Sequence, residues 1–315
     1  MKNDLFVGVD VGGTKVAAGL VNSEGEISTQ ARVAMTSNSS AQRGLESVLS
    51  AISHVIPQGA AGLAGIGICA PGPLDPQTGV IINPPNVPCW RNFPLASAVQ
   101  KLHPVPIKVD NDANAAALAE ARWGAARGYN NVFYVTMGTG IGTGIVFDAK
   151  IYHGRTGSAG EGGHVSVDYR GPICNCGKPG CIEGLASGTA IGQRAQKEIA
   201  AGATSSMVQL AGGDPAAVTG LTVGKALEQG DELARKIMTE TSEIVALWLS
   251  NIVDLLDPEV IVIGGGAAGL YKPFFGTLRE RMPELAVNPR AQEIPIVPAR
   301  YGADSGIAGG AALCA

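Results

Sequence analysis

The chain opens with two short apolar runs, 5–9 and 16–21, on either side of the polar, glycine-bearing Asp10-Val11-Gly12-Gly13-Thr14-Lys15, a pattern that predicts strand, tight turn, strand. A turn at 22–26 leads to a third strand at 27–34, then a helix at 41–55 and a strand at 63–69. Residues 70–75 break that strand, and the Pro/Asn-rich stretch 79–91 reads as a long loop, a kind of segment that usually carries function. A helix at 94–101, a strand at 107–109 and an alanine-rich helix at 113–124 follow, the last directly after Asp110-Asn111-Asp112. The opening pattern then returns, with a strand at 132–136, a glycine turn at 138–144 and a strand at 145–147.

Two similar turns in similar settings predict two halves of a duplicated fold, whose glycine turns face one cleft and can hold a polyphosphate between them. Beyond residue 188 the pattern is mainly helical: 189–201, 222–229 and 231–256. A buried strand at 260–263 ends in Gly264-Gly265-Gly266, a helix is expected at 273–285 and a last strand at 294–298, and the small-residue helix 304–314 is suited to packing close to another backbone.

Composition narrows this picture. A chain of 315 residues accommodates two domains with separate cores, expected at 1–115 plus 303–315 (small) and 116–302 (large). A net charge of -4 argues against a nucleic-acid surface, and the clustering of the 44 glycines points to phosphate-approaching loops. No apolar run reaches the roughly 18 residues needed to span a bilayer. The nearest, 244–256, is interrupted by Ser250, Asn251 and Asp254 and reads as a buried helix. A soluble, cytoplasmic protein is expected.

The most specific chemistry lies at 160–188, where His164, Cys174, Cys176 and Cys181 supply the nitrogen and sulfur donors of a closed tetrahedral site, so a structural Zn2+ is expected. Ordinary reduced thiols explain Cys-x-Cys-x4-Cys in a Gly/Pro loop less well. Glu161 and Glu183 bracket the cluster, and on a frame facing a cleft they become acceptors for a polyhydroxylated ligand; otherwise they are solvated loop charges. Cys69, Cys89 and Cys314 read as core or near-core thiols, and His54, His103 and His153, without metal-ligand company, as residues without a functional role.

Asp10-x-Gly-Gly-Thr-Lys15, Gly72-Pro73-Leu74-Asp75, Asn111-Asp112, Met137-Gly-Thr-Gly, Gly160-Glu161-x-Gly-His164 and the cysteine segment through Glu183 occur in this order in the ROK family of sugar kinases and repressors, which the chain resembles over nearly its whole length. The resemblance implies an α/β, actin-like (ribonuclease H-like) ATPase fold, a duplicated βββαβα arrangement with two domains around a cleft. It also implies ATP-dependent phosphorylation of a hexose, most commonly glucose at its 6-hydroxyl. By position Asp112 matches the family's general base, Asn111, Glu161, His164 and Glu183 its sugar ligands, and Gly72 and Asn86 the residues closing the sugar pocket. His164 would then serve zinc with one ring nitrogen and the sugar with the other.

Elementary chemistry supports these assignments without forcing them. Phosphoryl transfer needs an in-line hydroxyl, charge neutralisation and a proton acceptor. Asp112, at the positive end of an alanine-rich helix, stays ionised and is suited to accept a proton; a plain helix cap is the competing reading. Asp10 is a candidate for Mg2+ through water, with Gly12, Gly13 and Thr14 on one set of phosphate oxygens and Gly138, Thr139 and Gly140 on the other. Gly265 and Gly266 would border the adenine or simply turn the strand into a helix.

The expected function is therefore an ATP-dependent glucokinase, a homodimer without nucleic-acid or membrane partners. A kinase for another hexose or N-acetylhexosamine (N-acetylmannosamine, N-acetylglucosamine, mannose, fructose) is the alternative. A sugar-responsive regulator is less expected, because the family's repressors carry a winged helix-turn-helix ahead of the position of Asp10 and only nine residues precede it here. The glycines of Glu161-Gly162-Gly163-His164, one of them where many relatives carry a bulkier residue, suggest a roomier pocket floor.

Overall fold

The computed structural model describes residues 4–56 and 62–315. They form two compact units, Met1–Tyr134 with Gly144–Gly160 and Ala299–Ala315, and Val135–Thr143 with Glu161–Pro298. The sequence boundary at 115/116 would cut the helix Asp112–Arg122. Its whole length belongs to the first unit because its alanine face packs on the helix formed by Ser305–Cys314.

The first unit begins with an antiparallel meander of β1 (Leu5–Val11), β2 (Lys15–Asn22) and β3 (Ile27–Ala34). β1 and β2 are buried along nearly their whole length, which is why they read as unbroken apolar runs, whereas β3 is exposed along much of its length and carries a mixed sequence. Helix α1 (Ala41–Val55) is capped by the Ser40 side chain, which accepts the Arg43 N–H, and buries Leu45, Val48, Ile52 and Val55. Its buried face joins a core with Val7, Val9, Ile66 and Ile68.

Strand β4 (Leu63–Ala70) lies parallel to β1. The predicted long loop at 79–91 contains one short strand, β6 (Val80–Ile81), the middle of a ribbon whose other strands, β5 (Leu74–Asp75) and β7 (Phe93–Pro94), flank the loop. Trp90, fully buried and stacked on Phe93 at 5.3 Å, anchors it. After α2 (Leu95–Gln100), strand β8 (Ile107–Asn111) pairs parallel to β4 and runs straight into α3 (Asp112–Arg122). The sheet order is β3-β2-β1-β4-β8.

A second meander follows: β9 (Val132–Met137), β10 (Ile141–Phe147) and the short β11 (Lys150–Ile151). The turn spans only 138–140. Gly142 and Gly144 belong to β10, where a Cβ at Gly144 would lie 2.5 Å from the Ala113 carbonyl oxygen; the residue is a glycine for packing, not for turning. The helices α4 (Ile182–Ala186), α5 (Gly188–Ala200), α6 (Met207–Leu210), α7 (Gly220–Glu228) and α8 (Glu232–Leu256) precede β12 (Val260–Gly264). Then come α9 (Ala268–Tyr271), α10 (Phe275–Leu285), β13 (Ile296–Pro298) and α11 (Ser305–Cys314).

The second sheet runs β11-β10-β9-β12-β13, the same order as the first counted from its own first strand. The duplication expected from two similar turns is thus present in the strand topology. In the first unit α11 lies directly on the strands: a Cβ at Gly8 would fall 1.8 Å from the Ile307 carbonyl oxygen, and one at Gly67 1.8 Å from that of Gly310. No helix among the described residues is long and apolar enough to cross a membrane.

Candidate functional site

At the end of β8, Asn111 caps α3, its side-chain oxygen accepting the backbone N–H groups of Ala113 at 2.9 Å and Asn114 at 3.5 Å. The capping role considered for Asp112 therefore falls to its neighbour, and Asp112 is the first helical residue, with one carboxylate oxygen 2.8 Å from the Ala113 nitrogen. Asp10, at the end of β1, is pushed up to about 6, first by burial and then by the charge of Asp112, against a smaller lowering by Lys15. Gly306 is the residue that makes room for it, since a Cβ there would lie 2.5 Å from the Asp10 carboxyl carbon.

The β1–β2 turn is braced: Ser37 donates its hydroxyl to the Gly13 carbonyl at 2.7 Å and the Met35 N–H reaches Thr14 at 2.9 Å. A Cβ at Gly13 would be 2.7 Å from the Asn86 carbonyl oxygen, and one at Gly72 3.7 Å from the Asn111 amide nitrogen. Gly13 with Asn86, Gly72 with Asn111, and Asp10 with Asp112 are thus neighbours within the first unit.

In the second unit, one donor atom each of His164, Cys174, Cys176 and Cys181 lies within 4.8 Å of the others. A tetrahedron with metal–sulfur bonds of about 2.3 Å has edges of about 3.8 Å. The Cys176–Cys181 sulfur separation is 3.6 Å and Cys174 Sγ lies 3.7 Å from His164 Nδ1, so the set fits Zn2+. The chain folds locally to do this: the Gly177 N–H bonds the Cys174 carbonyl at 2.8 Å, and Gly180, at φ 64°, approaches Asp168 so closely that a Cβ would sit 1.6 Å from its carbonyl oxygen. The Cys181 thiol is pushed up to about 12, chiefly by burial and then by Cys176 and Cys174. A dication in place of the protons reverses that penalty.

Glu183, in the first turn of α4, joins this knuckle to the glycine turn. One carboxylate oxygen accepts the Ile141 N–H at 2.9 Å; the other lies 3.6 Å from Cys174 Sγ and 3.9 Å from His164 Nδ1. Glu161 opens a short 3-10 turn at 162–164, its carbonyl accepting the His164 N–H at 3.0 Å. The roomier floor is not found here. A side chain at 162 would meet the Thr143 hydroxyl at 2.7 Å, and one at 163 the Ile141 carbonyl oxygen at 1.9 Å.

Also within the second unit is a cavity of about 750 Å³. Its walls are Gly138 and Thr139, the start of α5 (Gly188, Thr189), the start of α7 (Thr219, Gly220, Leu221) and Gly266 with Ala267 and Leu270. Two helix N-termini and a glycine turn offer backbone N–H groups to an anion, and Val218, Leu221 and Leu270 offer apolar surface to a flat ring. The helices meet through glycine, since a Cβ at Gly220 would be 2.5 Å from the Gly188 carbonyl oxygen.

Gly140 and Gly265, expected at the phosphates and adenine, do not line this cavity. Gly140 makes room for the Glu183 carboxylate and Gly265, at φ 91°, for the Met137 carbonyl. The α5 and α7 residues were missed, although Ser187, which caps α5 before Gly188-Thr189, and the Thr219–Thr222 capping box of α7 are readable helix starts. His153, which the sequence marks as without a functional role, has its Nε2 2.6 Å from Asp110, a pairing across 43 residues that leaves no local signal.

A model of the ROK family matches residues 6–315. Among similar curated proteins, a glucokinase of Thermotoga maritima is 34% identical over 98% of this chain and 96% of its own length. A xylose repressor of Caldicellulosiruptor bescii is 30% identical over 87% of this chain and 69% of its own. The crystal structure of a ROK family glucokinase from Streptomyces griseus in complex with glucose and AMPPNP, 32% identical, superposes with a TM-score of 0.83 over 98% of this chain and 99% of that one.

Proposed function

The chain belongs to the ROK family, and from that premise we propose that it is an ATP-dependent sugar kinase, with glucose phosphorylated at its 6-hydroxyl. The observation that carries the proposal is the juxtaposition at the end of β8, where Asn111 caps the helix and the Asp112 carboxylate stands in its first turn, near enough to raise the buried Asp10. Similarity to glucokinases, one of them in complex with glucose and AMPPNP, supports glucose as the acceptor.

In this reading Asp112 accepts the proton of the attacking hydroxyl. The terminal phosphoryl group of ATP moves to that oxygen and ADP leaves. Asp10 holds Mg2+ through water, Gly12, Gly13 and Thr14 meet phosphate oxygens, and the 750 Å³ cavity takes the rest of the nucleotide through Gly138, Thr139 and Gly266. Glu161, His164 and Glu183, with Asn111, Asn86 and Gly72, hold the sugar hydroxyls. Zinc on His164 Nδ1, Cys174, Cys176 and Cys181 supplies rigidity to that frame.

A cytoplasmic homodimer completes the proposal; exposed Leu255 and Val287, near the hydrogen bond from the Val287 N–H to Asp254, offer apolar surface for a second copy. The test is a coupled ADP-release assay across hexoses and N-acetylhexosamines, with the phosphorylated position read by NMR. Fastest turnover with glucose is expected. Preference for N-acetylmannosamine would move the chain to the alternative kinase, and absence of ADP release with every sugar would refute the kinase reading. The similarity to a xylose repressor favours a second reading, a sugar-responsive regulator. Sugar binding without ADP release, together with salt-sensitive binding of duplex DNA, would support it.

A further inference from the structure

Asp110 is a buried carboxylate, 4% exposed, that holds the turn before α3 from beneath. One oxygen accepts the Asn111 N–H at 2.7 Å and the Asn114 amide at 3.2 Å; the other faces His153 Nε2 at 2.6 Å. Asn114 is itself buried, and its own amide oxygen finds no donor, so the network has no spare partner to offer if one is removed. His153 follows β11, and its carbonyl accepts the Ala159 N–H at 3.1 Å, which fixes the loop on which it stands.

We propose that His153 is a positioning residue for phosphoryl transfer: through its ion pair with Asp110 it holds the turn that presents Asn111 and Asp112 to the sugar. This rests on the kinase reading, with Asp112 as proton acceptor. Without His153, one oxygen of a buried carboxylate loses its cation. A buried charge left unpaired draws in water, and that loosens the hydrogen bonds that fix Asn111 and the first turn of α3.

The surroundings set the sign of the pH response. Lys108 on β8, Arg122 on α3 and Lys150 on β11 line the same hollow of about 290 Å³ as His153 and Asp110. Arg122 is committed to the Ala312 carbonyl at 2.9 Å and to that of Ala315. Asp10, Asp112 and Asp110 all act electrostatically on the buried Cys69 thiol. Of these groups Asp110 acts most strongly on His153, and its hydrogen bond raises the imidazole above its usual value of 6.5 against the opposing effect of burial. The pair is therefore intact below that usual value and is lost as pH rises through the raised one.

The experiment compares the wild-type chain with His153→Ala and His153→Gln, measuring kcat, KM for sugar and for MgATP, and melting temperature across pH. The wild type should lose kcat on the alkaline side, with a midpoint above the ordinary histidine value. His153→Ala should lose roughly tenfold to hundredfold in kcat, raise the KM for sugar, leave that for MgATP unchanged and lack the alkaline limb. His153→Gln, whose amide can donate to Asp110 at any pH, should recover most of kcat with a flat alkaline side, and it carries the test if the alanine variant fails to fold.

The proposal is overturned if His153→Ala melts like the wild type and keeps its kcat, both KM values and the alkaline limb. It is equally overturned if both variants lose activity in step with melting temperature at every pH, which is a structural role alone. A wild-type chain that releases no ADP with any sugar defeats the kinase reading first, and this role with it.

Discussion

Asp10 sits where its own ionisation is resisted, with a carboxyl raised from 3.8 to about 6 by burial and by Asp112. Below pH 3.8 it is neutral folded or unfolded. Between 3.8 and 6 the unfolded chain loses its proton first, so folding loses stability as pH rises, by up to about 3 kcal/mol once both values are passed. Asp10→Asn should therefore raise the melting temperature of the metal-free protein at pH 7.5 and not at pH 4, while abolishing turnover; a calorimetric scan at the two pH values with and without Mg2+ checks this. Asp112→Asn should lower kcat by on the order of a thousandfold or more with sugar affinity nearly unchanged, measured by single-turnover kinetics and sugar titration. Near-normal turnover would remove Asp112 from its assigned role. The helix start at Asp112 was legible in the sequence, and the role of proton acceptor was implied there by the family resemblance. The Asp110–His153 and Glu183–Ile141 contacts were not legible, because a hydrogen bond between positions 43 or 42 residues apart imposes no period and needs no particular neighbour in sequence.

Among the elements, the cysteine knuckle is the one whose shape follows from its composition. Four donors on a short loop with Gly177 and Gly180 at positive φ can close in few ways, and the four donors expected from the sequence do come together. Removing the metal with a strong chelator should release one Zn2+ per chain and expose 161–187 to amide exchange, and Gly180→Ala should weaken zinc retention because its Cβ would collide with the Asp168 carbonyl; elemental analysis and hydrogen exchange read these outcomes. Helices and strands with strong patterns were found within a residue or two. The glycine turn at 138–144 was overextended because the reading treated every glycine as a turn former, whereas Gly144 is small so that α3 can lie against β10.

At the scale of the whole molecule, the repeated strand order was foreshadowed by the two glycine turns, but the unit boundary was not. Which helix closes onto which sheet is decided by small residues that carry little pattern of their own. Gly310 is the clearest case: a Cβ there would lie 2.5 Å from the Gly67 carbonyl oxygen. Gly310→Ala should cost about 1–3 kcal/mol or more, since a strand rather than a flexible side chain must give way, and chemical denaturation checks it.

The contact of α11 with β1 and β4 also dictates a schedule. Polypeptides leave the ribosome in order, and structural units ordinarily close as they emerge. Here strands completed by residue 70 await a covering made from residues 305–314, while the stretch 161–298 between them can already have folded. During translation the half that emerges first is finished last, and its bare sheet face is what a chaperone would meet.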